Sequence, residues 1–188
     1  MRAHIAFAAA LLAVPAAATA QESPQARGEL KVSGIAPSAC LVQGAARGTG
    51  SNAALGTATG RQADIRILQL VDPQTSLARA TSMNLSLPIV CNVGHRIILR
   101  AQNGGLARSN RAGGAQATPG FRETVPYALT ASWAGVSMTS GSEASVNLAA
   151  PDAAAGDLTI DIDIPGGGAP LIAGAYSDLL VVELRVAS

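Results

Sequence analysis

Apolar and polar residues alternate one by one in several separate segments of this chain, and this pattern constrains the fold more than any other feature. In the clearest segment, residues 157–164, apolar side chains alternate with Thr159, Asp161 and Asp163. The same alternation occurs at residues 30–32, 83–91, 97–99, 125–133 and 176–186. Because successive side chains of a strand point to opposite faces, the pattern predicts half-buried antiparallel strands. Helical spacing of apolar residues is missing, so the sequence predicts an all-β sandwich or barrel.

The predicted strands are separated by connections rich in glycine, alanine and serine. The longest are residues 44–60, 102–120 and 165–174. They predict loops, because glycine favours turns and few apolar side chains are available for burial. The connection at residues 102–120 is long enough to have a function of its own or to be disordered. Pro88 interrupts one strand pattern, which predicts an edge position or a bulge.

The first twenty residues have the parts of a secretory signal peptide. A short positive start precedes an apolar run at residues 5–14, and a small-x-small cleavage pattern ends at Ala20. An apolar run of this length is too short for a permanent membrane span, so we expect an exported chain that is not inserted in the membrane. Cleavage leaves residues 21–188 as one domain, of a size that can enclose a sizeable core.

Cys40 and Cys91 are the two cysteines of the chain. An exported protein folds in an oxidising compartment, where an even pair of thiols rarely stays free. The sequence therefore predicts a disulfide between them. Their separation of 51 residues corresponds to about 4 kcal/mol of stabilisation through loop-closure entropy.

The charges of the mature chain balance, but they are distributed unevenly along it. Loss of Arg2 with the signal peptide reduces the 13 basic residues to 12, equal to the 12 acidic ones. This balance argues against nucleic acid or an anionic membrane surface as the partner. Eight arginines and two acids lie within residues 61–122, whereas seven acids and Arg185 lie within residues 143–188. Two explanations remain, solvated faces of different strands or attraction between copies in a polymer.

Few residues of the mature chain can carry catalysis or bind a metal ion. His95 is its one histidine, and its position after a turn favours a plain surface residue over the base of a catalytic triad. Asp161 and Asp163 alternate with isoleucines, so a polar outer face is a simpler explanation than a calcium or acid–base site. Residues 166–168 lack the lysine of a phosphate loop. We therefore expect no enzyme activity, no metal site and no cofactor.

Five segments of the mature chain together form a recognisable pattern. They are residues 28–33 leading to Cys40, residues 85–91, residues 97–105, residues 125–129 and residues 164–182. The last is the most specific, because Ala173, Gly174, Tyr176 and Asp178 form an alanine-glycine-x-tyrosine-x-aspartate turn before the final strand. Together these segments resemble the spore coat protein U domain family, which includes the subunits of archaic chaperone–usher pili.

The resemblance implies an immunoglobulin-like antiparallel β-sandwich that lacks its last strand. A periplasmic chaperone, and later the N-terminal strand of the next subunit at the usher, would fill the gap. Leu30 and Val32, which alternate with Glu29 and Lys31, are the first apolar residues able to act as that donor strand. The implied function is a structural subunit of a surface fibre or coat, exported through the periplasm to the cell surface. Its implied partners are other copies or related subunits.

Other classes of protein compete with this expectation. A self-contained secreted binding module or pilus-tip adhesin would contact its ligand through the long loops. The two classes differ in whether the strand at Leu30 and Val32 folds into its own sheet or stays free for another subunit. A hydrolase would need several titratable residues converging in a cleft, and the composition leaves few for that role.

Overall fold

The computed structural model of the 188-residue chain describes residues 28–109 and 118–187. The predicted signal peptide, residues 1–20, lies outside the described residues. The chain divides into two units, Met1–Ile35 and Ala36–Ser188, and every described strand belongs to the second. The regular elements of the described ranges are strands without any helix, which confirms the prediction of an all-β fold. Accordingly, those ranges hold no helix of the length and apolar character that crossing a membrane requires.

The strands of the described residues range from two to eleven residues in length. In chain order they are β1 (Cys40–Val42), β2 (Arg47–Ser51), β3 (Ala53–Ala58), β4 (Ala63–Ile67), β5 (Thr81–Cys91), β6 (His95–Ala101), β7 (Leu106–Arg108), β8 (Thr124–Val125), β9 (Ala128–Trp133), β10 (Val136–Gly141), β11 (Val146–Ala150), β12 (Ala154–Ile164), β13 (Tyr176–Ser177) and β14 (Leu180–Val186).

These strands form two larger antiparallel sheets and two small ones. The front sheet has the order β1–β5–β12–β9–β10, and β2 also pairs with β5. The back sheet has the order β11–β6–β14. The end sheet is β13–β7–β8, and β3 pairs with β4 as a separate hairpin. The order shows that β12 is the middle strand of the front sheet and β6 the middle strand of the back sheet.

The front and back sheets enclose one apolar core in a sandwich-like arrangement. β5 and β12 pair along eleven residues each, from Ala154 opposite Cys91 to Ile164 opposite Thr81. The alternation noted in the sequence places their apolar side chains on the inner face. These pack in one cluster with apolar side chains of the back sheet, including Ile97, Leu99, Val146 and Leu148, which are 0% exposed.

Pro88 lies inside β5, at neither a sheet edge nor a bulge. β1 pairs with the end of β5 from Ile89 onward, and β2 pairs with its earlier part up to Ser86. Pro88 falls between these two partners, where the ladder toward them is interrupted and the N–H that proline lacks is not needed. Its carbonyl accepts a hydrogen bond of 2.9 Å from Gln43 N.

His95 is buried, with 2% exposure, so the prediction of a surface histidine is wrong. Trp133 Nε1 donates a hydrogen bond to His95 Nε2 at 2.7 Å, and His95 Nδ1 lies 2.9 Å from the carbonyl oxygen of Val93. With the proton on Nδ1, both ring nitrogens are hydrogen-bonded, and these bonds offset the desolvation of the buried ring. Trp133 lies 38 residues away, so no local sequence pattern could reveal the pairing.

The predicted disulfide between Cys40 and Cys91 is confirmed. The two residues face each other directly across the β1–β5 pair, with their Cα atoms 4.1 Å apart. β1 is three residues long and has one partner strand among the described residues. The bridge therefore holds this short strand on β5.

We expect the double substitution Cys40→Ser and Cys91→Ser to lower the free energy of unfolding by about 4 kcal/mol, because the unfolded chain regains its loop entropy. Urea denaturation of the purified protein measures the change. The unsubstituted protein in excess reductant serves as the control and should lose a similar amount. An unchanged denaturation midpoint in both samples would contradict this assignment of stability to the bridge.

Candidate functional site

An open apolar groove runs between β14 and the β3–β4 hairpin of the second unit. Its volume is about 610 Å³. Inward-facing side chains of the front sheet form the floor, among them Met83, Leu85, Ile160 and Ile162. The groove is thus a place where the core of the sandwich reaches the surface.

β14 forms one wall of the groove and leaves one of its edges open. In the part of the chain that the structure describes, β14 pairs with β6 and with no other strand. Leu180, Val182 and Leu184 point toward the core but remain half-buried. An open strand edge presents backbone N–H and C=O groups that an added strand can bind. β14 therefore offers both a backbone edge and a row of apolar side chains.

The β3–β4 hairpin forms the opposite wall. Its strands pair with each other and with no further described strand. Asn52 fastens the base of the hairpin, since its side chain accepts a hydrogen bond from Gln69 N at 3.0 Å and donates one to Thr81 Oγ1 at 2.7 Å. Ile65 lines the groove while 37% exposed. An inserted strand would bury this side chain.

Asp178 closes one end of the groove and fixes the start of β14. Its Oδ1 accepts hydrogen bonds from the backbone N–H groups of Asn103 and Leu179, both at 2.8 Å. Its Oδ2 accepts from the Tyr127 hydroxyl at 3.0 Å and from Gly105 N at 3.1 Å. Burial, together with the negative charge of Asp178, raises the pKa of Tyr127 well above its usual value. One carboxylate thus joins three separate segments where the groove ends.

Asn92 directs the chain that enters the sandwich. Its side chain accepts a hydrogen bond from Ala39 N and donates one to the carbonyl oxygen of Pro37, both at 2.8 Å. The end of β14 is tied to the same turn, because Ala187 N donates to the carbonyl oxygen of Gly94 at 2.8 Å. The segment before Cys40 therefore leaves the sandwich at the turn where β14 ends.

The predicted donor residues lie in the first unit and are exposed. Leu30 is 89% exposed and Val32 is 86% exposed, and neither belongs to a strand, so the prediction of a half-buried strand at residues 30–32 is wrong for the isolated chain. Ile35, which the sequence reasoning did not single out, is 97% exposed. Three large apolar side chains in one short segment are therefore left in contact with solvent.

The other residues considered from sequence form no catalytic arrangement in the described parts of the chain. Asp161 accepts a hydrogen bond from Asn84 Nδ2 at 2.6 Å, and Asp163 is exposed, as expected for an outer sheet face. The ligand atoms of Cys40, Cys91 and His95 lie within 4.8 Å of one another. The sulfurs are joined in the disulfide and both ring nitrogens of His95 are hydrogen-bonded, so these atoms are not available to a metal ion.

Sequence reasoning predicted β14 and the floor strands β5 and β12, but it missed the β3–β4 hairpin that forms the other wall. The loop predictions for residues 44–60 and 102–120 are wrong in part, because the first range contains β2 and β3 and the second contains β7. The sequence feature that could have indicated the end of the groove was the turn containing Tyr176 and Asp178. Its tyrosine hydroxyl donates to the carbonyl oxygen of Ile172 at 2.7 Å, and its aspartate ties down β14. Comparisons with protein-family models, with curated proteins and with solved structures find no match to this chain. The groove and the exposed leader are therefore what bears on function.

We expect Asp178→Ala to lower the free energy of unfolding by about 3 kcal/mol, since Tyr127 and three backbone N–H groups lose a charged acceptor. Tyr127→Phe, which removes one of those bonds and keeps the ring, should cost about 1 kcal/mol. Chemical denaturation of both variants provides the measurement. Equal losses in the two variants would show that the backbone contacts of Asp178 contribute nothing.

Stability should also fall in alkaline solution because of Tyr127. Its pKa is raised in the folded protein, so the folded state keeps the proton that the unfolded state loses above about pH 10. The stabilisation that this difference in pKa gives the folded state is complete below that pH, and it is lost as the pH rises toward the pKa of Tyr127 in the folded protein. Denaturation midpoints measured from pH 8 to 11 should fall more steeply for the natural protein than for Tyr127→Phe. Parallel curves would contradict the assignment.

Proposed function

We propose that this protein is an exported, non-enzymatic structural subunit of a surface fibre, assembled by donor-strand complementation. The observation that carries the proposal is the open apolar groove along the unpaired edge of β14. In this mode of assembly an extended segment of one subunit completes the sandwich of another. An immunoglobulin-like sandwich with one strand missing, as the resemblance to the spore coat protein U domain family implies, is part of the proposal.

The groove has the dimensions and chemistry that an extended strand requires. β14 is seven residues long, so its edge extends for roughly 23 Å at the usual rise per residue. A strand laid along it would hydrogen-bond to the free backbone groups and place alternate side chains over the apolar floor. Each large apolar side chain buried there would contribute about 1.5–3 kcal/mol.

The leader has matching features. Leu30 and Val32 are two residues apart, the spacing of successive side chains on one strand face, and Glu29 and Lys31 occupy the other face. Twelve residues from Gly28 to Ala39 can extend over about 40 Å. Asn92 fixes the end of this segment, at Pro37 and Ala39, beside the turn where β14 ends. We therefore propose that the leader fills the groove of a second copy or of a related subunit.

The same groove explains why assembly partners belong to the proposal. An apolar groove beside an unpaired edge favours aggregation unless it is covered. A periplasmic chaperone would cover it during export, and an usher would exchange the chaperone for the next leader. The binding-module alternative would leave the leader inside its own sheet, and the exposure of Leu30 and Val32 favours strand donation instead.

We expect Leu30→Asp with Val32→Asp to abolish fibres while the chaperone-bound monomer stays folded, because charged side chains cannot enter the apolar groove. Electron microscopy of protein produced with its genomic neighbours scores the fibres. The control is Glu29→Ser with Lys31→Ser, which alters the other strand face and should assemble. Fibres from the aspartate variant would rule out donation by this segment. If the aspartate variant instead unfolds as a monomer, the segment belongs to a sheet of its own molecule.

A peptide offers a second test that needs no fibre. A synthetic peptide of residues 27–36 should raise the melting temperature of the protein by occupying the groove. The same peptide with both aspartates is the control and should leave the melting temperature unchanged. Equal effects of the two peptides would contradict recognition through Leu30 and Val32.

A further inference from the structure

The outer face of the front sheet is acidic along its middle strand. The polar residues of β12 point away from the core, and three of them are Asp157, Asp161 and Asp163. The strands on either side place short polar residues next to these aspartates. The residues directly opposite Asp161 are Asn84 on β5 and Thr130 on β9. Beyond them in the same row lie Thr49 on β2 and Thr139 on β10. The face thus presents carboxylates among short hydroxyl and amide groups, with no long side chain beside Asp161 in this row.

The outer face of the back sheet is basic along its own middle strand. Arg96 and Arg100 of β6 point outward and are exposed, and Arg185 of β14 lies opposite Arg96. Arg185 is already engaged, because its Nε donates to Glu183 at 2.8 Å. Among the described residues, neither Arg96 nor Arg100 forms an ion pair. Glu183 of β14 lies on the same face and interacts electrostatically with Arg100, but neither Arg96 nor Arg100 is held in an ion pair with a described residue, so both side chains can contact a partner.

The spacing of charges on the two faces matches. Asp157 and Asp161 are four residues apart on β12, and Arg96 and Arg100 are four residues apart on β6. Four residues of strand correspond to roughly 13 Å in both cases. Two ion pairs can therefore form together when the strands of the two faces are aligned. Each guanidinium carries five N–H donors, enough to bond a carboxylate and a neighbouring hydroxyl at once.

We propose that the front face of one copy of this protein docks on the back face of a second copy, with Arg96 and Arg100 bound to Asp157 and Asp161. The occupant is a second copy because one molecule carries both complementary faces. Since the two faces differ, the contact leaves one of each free and can repeat in a stack. This lateral contact uses neither the groove nor the leader, so it stands apart from strand donation. Exposed ion pairs are individually weak and screened by salt, so the contact forms at low ionic strength.

The test uses charge reversal on the chain that carries Leu30→Asp and Val32→Asp, which excludes strand exchange. Sedimentation velocity is measured in roughly 20 mM and 500 mM salt, conditions that change the screening length severalfold. The parent should self-associate in the low salt and dissociate in the high. Arg96→Glu with Arg100→Glu has two acidic faces, Asp157→Lys with Asp161→Lys has two basic faces, and each alone should be monomeric. An equal mixture of the two variants should associate again, because each supplies the face that the other lacks.

The control substitution is Asp152→Lys, which makes the same type of charge reversal at one position in an exposed turn and should leave association as in the parent. Circular dichroism checks that each variant is folded. Should the leader variant not fold, the same charge variants are made with the natural leader, and fibres are scored for side-by-side bundling. Association that is equally strong at both salt concentrations would overturn the proposal. So would either charge variant that associates by itself as the parent does. A mixture that stays monomeric would overturn it as well.

Discussion

The unpaired edge of β14 is the constraint on which the rest of this structure depends. A central strand of a sheet has partners on both sides, whereas β14 is an edge strand with β6 on one side alone among the described residues. Its backbone groups on the open side can form hydrogen bonds with water, but contact between water and its apolar side chains is unfavourable. The groove is the direct consequence, because the floor beside this open edge consists of core residues. An open core of this kind is stable only if the remaining strands are held firmly in place.

The structure holds them at both ends of the groove. At the start of β14, the carboxylate of Asp178 joins the chain to Tyr127 and to the backbone after β6. At the other end, Ala187 bonds to the turn between β5 and β6, and the disulfide holds β1 against β5. The buried bond from Trp133 to His95 lies near that disulfide. Fixed contacts at the ends leave the middle of the edge free, which is the part that a donor strand would need.

The two proposed contacts differ in their physical basis, and the difference predicts different behaviour. Strand insertion would combine backbone hydrogen bonds with burial of apolar side chains, so it would be long-lived and little affected by salt. Face-to-face docking would depend on exposed arginines and aspartates, so it would be weak and reversible. A fibre subunit with both contacts could be linked firmly along one direction and loosely across it.

The sequence by itself determined the secondary structure of the clearest segments and the disulfide. A strand buries one face, so its pattern of alternating residues is written locally, and two cysteines allow a single pairing within the chain. It did not determine the burial of His95, the role of Asp178 or the place of Pro88. Each of these depends on partners far along the chain, such as Trp133 for His95 and Asn103 for Asp178. The groove was likewise decided by the tertiary structure, because the sequence shows that β14 is a strand but only the arrangement of the sheets shows that one of its edges has no neighbour.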